Sequence, residues 1–430
     1  MKTGGYRLTR QIWAWAMYDW ANSAFVMTVT ASFFPAFFKR FWCTGVDASV
    51  STIRLGYGNF AAGLIIALLS PFLGALAGAG KAKKEFLGFF MMIGALMAGA
   101  LFFVEKGAWI AALSVFMLGR TGFSLANLFY DSLLSDVTDN EYADLVSSLG
   151  YSIGYLGCGL LYAVNLVMYA RPAWFGIASR ATAVRVAFLI VGAWWMVFSI
   201  PLLVMVKQRE RKHTKKAAEI ISEGIVRLKH TFSEILGNRT VLLFLIAYWC
   251  YIDGVHTVYM MALDFGLSLN IDEAVLMKAL LLVQLVGFPS TLLFGYFAQR
   301  AGTKAAILVA VGIYICVALG GSWIMKTAAH FVILACLTGV AQGATQALSR
   351  SFFVKIVPRE KSSDYFGFYN LIGKFAVVLG PGIVATANLF ARSLGYTGET
   401  ASRLGISTLA VLFISGSIVL AFVPEPPRKT

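Results

Sequence analysis

Charge is what this sequence has least of. Asp, Glu, Lys and Arg make up 13% of its 430 residues, where soluble domains carry about 25%. That scarcity excludes an ordinary water-exposed surface. Acids are the scarcer sign, 21 against 36 bases, for a net charge of +15. The excess does not imply a nucleic-acid partner, because the bases form no face interleaved with aromatics on a soluble domain. Cysteine is sparse as well: Cys43, Cys158, Cys250, Cys316 and Cys336, with no CxxC pair. Four of these fall inside apolar stretches and read as small apolar residues, so no disulfide framework and no metal site is expected. The absence of a Walker loop argues against ATP hydrolysis within the chain. No metal-ligand cluster, Ser-Lys pair or paired catalytic Asp motif points to an enzyme, and no cofactor is implied. No cleavable signal peptide is expected either, since the first apolar stretch is long and contains Asp19.

What is present is apolar length. Hydrophobic residues reach 59% and the mean hydropathy is +0.74. A membrane-spanning helix needs about 20 mostly apolar residues. Twelve such stretches can be marked, at 12–38, 55–79, 86–104, 108–132, 146–169, 184–206, 240–262, 274–298, 304–325, 329–353, 366–390 and 403–424. The expected fold class is an all-α membrane protein with twelve transmembrane helices. With both termini cytoplasmic, Lys and Arg favour the cytoplasmic segments by roughly two to one, as the positive-inside rule requires. Arg171, Arg180 and Arg185 dissent from an outer segment.

A basic, polar interruption at 207–239 separates two sets of six spans, 1–206 and 240–430. Within it Ala217, Ile220, Ile221, Ile225, Leu228 and Ile235 recur at helical spacing. This reads as an amphipathic cytoplasmic helix near the lipid headgroups, with a solvated linker as the alternative. The two sets repeat each other. Gly74-Ala75-Leu76-Ala77-Gly78 leads to Lys81, as Gly295-Tyr296-Phe297-Ala298 leads to Arg300 and Lys304. A constant offset of 220 carries Asp144 onto Asp364, and Tyr130 and Asp131 fall near Arg350. Parallel six-span pseudo-repeats are the sequence sign of the major facilitator architecture, in which two halves rock about a midplane site.

Six ionisable residues fall inside these apolar stretches: Asp19, Asp131 and Asp253, with Arg120, Arg350 and Lys374. Each costs roughly 2.5–3.5 kcal/mol at that depth on insertion scales. Chains keep such groups where they face a watery cavity and handle a charged solute or a proton. Arg350 lies near the cytoplasmic end of its span, and snorkelling to the headgroups is its expected role.

Several segments resemble one family. Trp15-Ala16-Met17-Tyr18-Asp19-Trp20-Ala21-Asn22-Ser23-Ala24-Phe25 looks like the opening motif of the vacuole-effluxer-like (autophagy-protein-22-like) family of the major facilitator superfamily. Tyr251-Ile252-Asp253-Gly254-Val255-His256-Thr257 resembles its seventh-span motif. The glycine-rich run from Val146 to Gly157 resembles its fifth-span motif. The run from Phe366 to Lys374, with Leu379-Gly380-Pro381, resembles its eleventh. The resemblance implies twelve helices and transport of a small solute. For the yeast namesake it implies amino-acid efflux from the vacuole. The superfamily's loop motif usually has Asp between its glycines; here Gly78 and Gln299 occupy those places, which puts the usual gating lock in doubt.

The expected roles follow. Asp19, Asp131, Asp253, Arg120 and Lys374 are candidates for proton coupling or substrate binding, since a buried carboxylate can load a proton and a cation can hold a carboxylate. Tyr18, Asn22, Asn127, Tyr251, His256 and Asn370 are candidates for solute contact. Gly74, Lys81, Gly295, Arg300 and Lys304 are gating candidates. The acidic run Asp136, Asp139, Glu141 and Asp144 reads as a solvated loop, with a gate to Lys81, Lys83 and Lys84 across the cytoplasmic face as the alternative. The expected activity is proton-coupled transport of an amino acid or related zwitterion. A carrier of organic anions, such as a carboxylate siderophore, and a transporter-like receptor are the alternatives. The expected surroundings are a lipid bilayer, a bacterial inner membrane, with protons as partners in coupling and a monomer at work.

Overall fold

The twelve apolar stretches become twelve helical rods in the computed structural model, which describes residues 8–46, 48–80, 82–208, 217–268 and 271–425. The first rod, Arg10–Trp42, is composite. It joins α1 (Arg10–Ala24), a π-helical stretch Phe25–Phe33, the short α2 (Phe34–Phe37) and a second π-helical turn, Phe38–Trp42. Thr9 opens it by accepting the Ile12 N–H at 3.3 Å, an N-cap. Proline explains the widening. Pro35 has no N–H to give the preceding turn, and the ladder loosens just before it, with Phe34 N–H reaching back to Val29.

The remaining elements alternate in direction. They are α3 (Ala48–Gly80), α4 (Lys83–Ala100), α5 (Trp109–Val137), α6 (Ala143–Ala170) and α7 (Arg180–Met205), then the linker helix α8 (Ala217–Gly237). After it come α9 (Arg239–Ser268), α10 (Glu273–Ala301), α11 (Thr303–Trp323), α12 (Ala328–Ile356), α13 (Ser362–Ser393), α14 (Gly398–Ser407) and α15 (Leu409–Ala421). Eleven rods are long and apolar enough to cross a membrane. The twelfth is α13, 32 residues long. The rods before α8 form the first half and those after it the second. The start of α1, the end of α15 and α8 lie on one side, the linker face. The first rod runs past the expected boundary to Trp42, and α13 begins four residues early, at Ser362.

Small residues set how closely the rods approach. A Cβ on Gly150 would stand 2.6 Å from Asp19 Oδ2, so α6 can lie against the carboxylate of α1 only without a side chain there. Likewise a Cβ on Gly74 would meet the Ser363 carbonyl at 2.5 Å. That contact joins α3 of the first half to α13 of the second.

The linker forms the expected helix where it is described. Thr231 and Ile235 are buried, and Gly224 rests on Leu76 of α3. It is a packed helix, not a solvated strand of linker.

Candidate functional site

Small residues on α12 (Gly339, Ala341, Gly343, Ala344, Ala347) let this helix run deep between its neighbours. Arg350 follows them, and it is 1% exposed. The snorkelling expected of it does not occur, because its partners lie inward across the seam between the halves. Its Nη1 donates to Asp131 Oδ1 at 2.9 Å. Its Nε donates to Ser147 Oγ at 2.9 Å, and its Nη2 donates to the Ser147 carbonyl at 3.0 Å. Asp19 Oδ2 accepts from Nη2 at 3.4 Å. Three rings surround the guanidinium: Tyr151 at 4.5 Å, Trp15 at 4.7 Å and Tyr130 at 5.1 Å. The Tyr130 hydroxyl donates to Asp19 Oδ2 at 2.7 Å, and the Trp15 indole N–H donates to the Tyr130 carbonyl at 3.1 Å. Arg350 comes from the second half and every one of these partners from the first.

Among the described residues two carboxylates face this guanidinium, Asp19 buried and Asp131 partly so. A buried pair survives only when its remaining groups are hydrogen-bonded, and here the aromatic hydroxyl and the Ser147 atoms provide those bonds.

A second polar layer lies nearer the linker face. Lys355 Nζ meets Asp144 Oδ2 at 2.6 Å, and Asp144 also accepts from Ser351 at 2.5 Å and Thr303 at 2.9 Å. Arg359 pairs with Asp139 at 2.9 Å and with Asn140 at 3.0 Å. Asn370 donates to Ser70 Oγ at 2.7 Å. The acidic run is therefore more than a solvated loop: among the described residues Asp136 meets Lys83 at 2.8 Å, while Asp139 and Asp144 turn to bases of the other half. Lys84 donates to the Val206 carbonyl at 3.0 Å, and Lys81 lies outside the described residues.

Two of these contacts join residues 220 apart, Tyr130 with Arg350 and Asp139 with Arg359. In a structure with two-fold pseudosymmetry, groups near the axis meet their own counterparts. The missing acid of the loop motif is replaced in the same manner. Where Gly78 leaves space on α3, the Asp364 carboxylate of the other half fills it, so that a Cβ there would fall 2.0 Å from Asp364 Oδ1. Its counterpart Asp144 reaches Thr303 and Lys355.

The other candidates are placed as follows. Asn22 donates to Asn127 Oδ1 at 2.6 Å, joining α1 to α5. Tyr18 is buried with its ring 4.8 Å from that of Tyr130. Arg120 is half-buried on α5 and donates to Asn59 Oδ1 on α3. Asp253 is buried and accepts the Gly380 backbone N–H at 2.9 Å. That bond ties α9 to α13 one residue before Pro381, inside the second half. Tyr251 shares a 2.7 Å hydrogen bond with Ser349. His256, half-buried, stands one turn beyond Asp253. Gly295 lies against Ser148 of the first half. Arg300 lies in the last turn of α10, and Lys304 donates to the carbonyls of Ala421 and Val423 in its own half. The Lys374 side chain lies outside the described residues. Asp19 and Asp131 are thus brought together, whereas Asp253 and Arg120 have separate partners.

Toward the opposite face the contacts between described residues of the two halves include neutral ones around Met27. Met27 Sδ accepts from the Tyr259 hydroxyl at 3.7 Å and from Gln284 Nε2 at 3.5 Å. Cys158 Sγ donates to Gln284 Oε1 at 3.3 Å. Beside them the second half encloses an apolar chamber lined by Tyr259, Phe265, Val283, Phe331 and Gln342, among others.

Sequence reasoning missed Arg350 as the hub, and Ser147, Tyr151, Lys355 and Asn59 as partners. One signal was available: the 220 offset already set Arg350 opposite Tyr130.

Comparison with known proteins agrees with this architecture. The family model described as vacuole effluxer Atg22 like matches residues 57–428. The uncharacterized MFS-type transporter YxiO of Bacillus subtilis (strain 168) is 37% identical over 423 residues, covering 97% of this chain and 96% of that one. Autophagy-related protein 22 of Eremothecium gossypii is 20% identical, over 86% of this chain and 84% of its own length. Among solved structures, the proton:xylose symporter XylE superposes with a TM-score of 0.67 at 13% identity, covering 98% of this chain and 97% of that one. At that identity the likeness concerns the fold alone, which is the twelve-helix major facilitator fold.

Proposed function

We propose that this chain, which belongs to the vacuole effluxer Atg22-like family and is an MFS-type transporter, moves a small zwitterion, most simply an amino acid, by proton-coupled alternating access. One observation carries the coupling: a guanidinium of one half shared by two carboxylates of the other. With both carboxylates ionised, Arg350 draws the halves together at the linker face. Protonation of Asp19 or Asp131 removes one of its two attractions, and the seam parts. Loss of the proton restores the attraction and closes it.

Solute recognition falls to the separate charges. Among the described residues no carboxylate pairs with Arg120, whose partner is the neutral Asn59 amide. Its charge is left for a solute carboxylate. Asp253 supplies the complementary charge for an ammonium, and Asn22 and Asn127 supply neutral hydrogen-bonding groups between them. The linker face is assigned to the cytoplasm of a bacterial inner membrane, and the working unit is one chain.

The Gly380 N–H bond to Asp253 favours a second reading. If that carboxylate serves only to tie α9 to α13, the cavity is left cationic and takes an organic anion. Flux in proteoliposomes separates the two. Labelled neutral amino acids are expected to accumulate under an imposed pH gradient and to stop accumulating in Asp19→Asn, with downhill exchange retained. Accumulation unchanged in Asp19→Asn overturns the coupling role. Competition by polycarboxylates and not by amino acids transfers the assignment to the anion reading.

A further inference from the structure

We propose that α8 is a lipid-seated strap: it lies across the seam between α3 and α13 on the linker face and rests one side on the anionic surface of the bilayer. The inference does not depend on which solute is moved. It stands on three observations about one helix.

First, α8 holds both sides of the seam. Gly224 packs on Leu76 of α3, in the first half. Toward the second half, Arg227 faces Asp364 at 3.6 Å, and Glu234 accepts from Lys361 at 2.6 Å and from the Tyr365 hydroxyl at 3.2 Å. Asp364 and Lys361 lie at the start of α13, where Gly74 and Gly78 of α3 meet it. Parting α3 from α13 therefore requires α8 to release one of them.

Second, α8 carries an apolar stripe that the protein leaves uncovered. Ile225, Phe232 and Leu236 are 45%, 53% and 55% exposed. They recur at helical spacing, beside a row made of the buried Gly224, Thr231 and Ile235 and the partly buried Leu228. Phe232 also touches the ring of Phe368 on α13, 6.0 Å between centroids, so the stripe continues onto a spanning helix.

Third, the helix is held at the membrane boundary. Only Asn238 separates Gly237 from Arg239, where α9 enters its span. Asn238 Oδ1 accepts the Thr240 and Val241 N–H groups, which fixes the corner as a helix cap. An apolar stripe kept at that level meets acyl chains. The sequence ahead of α8 holds Lys207, Arg209, Arg211, Lys212, Lys215 and Lys216, a charge density that anionic headgroups attract. A membrane surface satisfies both features at once, as it does for interfacial amphipathic helices. A second protein would need to match the stripe and the basic run together.

Spin labels on single cysteines test this in vesicles. Full-length protein carrying Ile225→Cys, Phe232→Cys or Leu236→Cys is compared with Ser222→Cys and Ser233→Cys, after subtraction of signal from the unsubstituted protein. In phosphatidylcholine vesicles containing phosphatidylglycerol, the first three labels are expected to be several-fold more accessible to oxygen than to an aqueous nickel reagent. The two serine positions are expected to show the reverse. Removal of phosphatidylglycerol is expected to lower the contrast. Equal aqueous access at all five positions overturns the proposal. Protection that rises with protein density in the vesicle also overturns it, in favour of a second copy on the stripe. Phe232→Leu, which keeps the stripe apolar, is expected to leave the Ile225→Cys contrast intact; Phe232→Glu is expected to abolish it.

Discussion

The two faces of this molecule close in different ways. At the linker face the halves are joined by charge: Arg350 with Asp19 and Asp131, Lys355 with Asp144, and Arg359 with Asp139. Toward the opposite face the contacts are a thioether, an amide, a thiol and a phenol, around Met27. The difference teaches where switching can be controlled. A charged contact in low dielectric changes greatly when a single proton binds, because removing one partner of a buried pair costs about 3–5 kcal/mol. Neutral hydrogen bonds to a thioether, a weak acceptor, change by less. On the proposed mechanism the linker face responds to ionisation, and the opposite face opens and closes at little cost.

Breaking the charged side should have the largest effect. Arg350→Leu leaves the buried Asp19 and the partly buried Asp131 without their shared cation and should weaken the closed linker face by about 3–5 kcal/mol. A cysteine placed at the buried Ser148 should then react with a water-soluble maleimide much faster than in the unsubstituted protein. Lys355→Met comes next. Asp144 keeps Ser351 and Thr303, so the loss should be smaller, and maleimide reactivity at the same position should rise by less. Gly74→Ala acts through shape. The added methyl meets backbone at the Ser363 carbonyl, which cannot swing aside. α3 and α13 should separate, read as a crosslink between Ser70→Cys and Asn370→Cys that forms more slowly.

The neutral side should tolerate change. Met27→Leu conserves volume, and such swaps usually cost below about 1.5 kcal/mol; its thermal unfolding midpoint should stay near that of the unsubstituted protein. The smallest effect concerns pH at the strap. Burial pushes the Glu234 carboxyl up, but the Lys361 hydrogen bond and charge, with help from Tyr365 and His230, bring it below the ordinary glutamate value. A depressed folded value means that the contact stabilises the docked helix above the unfolded value. The contribution is lost as pH falls through the depressed one. Glu234→Gln should remove that acid-side dependence from the release of α8, followed by a fluorophore on it.

Much of the fold could be read from the sequence because a membrane imposes length on every helix. Stretches of about 20 apolar residues have few other readings, and the 220 offset exposed the repeat. The π-helical turns before Pro35 were not legible, since window hydropathy does not register a change of hydrogen-bond pattern. The site was legible in residue type more than in pairing. Asp19 and Asp131 could be singled out as buried acids, but their common partner could not. Arg350 lies near a helix end, where a long cationic side chain ordinarily escapes to the headgroups. It turns inward only because Trp15, Tyr130 and Tyr151 form a pocket from three helices that are distant in sequence. The acids of the α5–α6 connection were visible too. Their choice of Lys355 and Arg359 over Lys81 and Lys84 depends on how the halves are set against each other, which local pattern does not encode.

The most direct test of the account is the distance across the linker face, measured between spin labels at Glu141→Cys and Glu360→Cys in lipid vesicles. The account predicts one short interspin distance at alkaline pH, with a longer population that grows as the pH is lowered. In Asp19→Asn the longer population should already be present at alkaline pH. A single short distance that neither acidification nor Asp19→Asn alters would contradict the claim that the Arg350 cluster governs opening of this face.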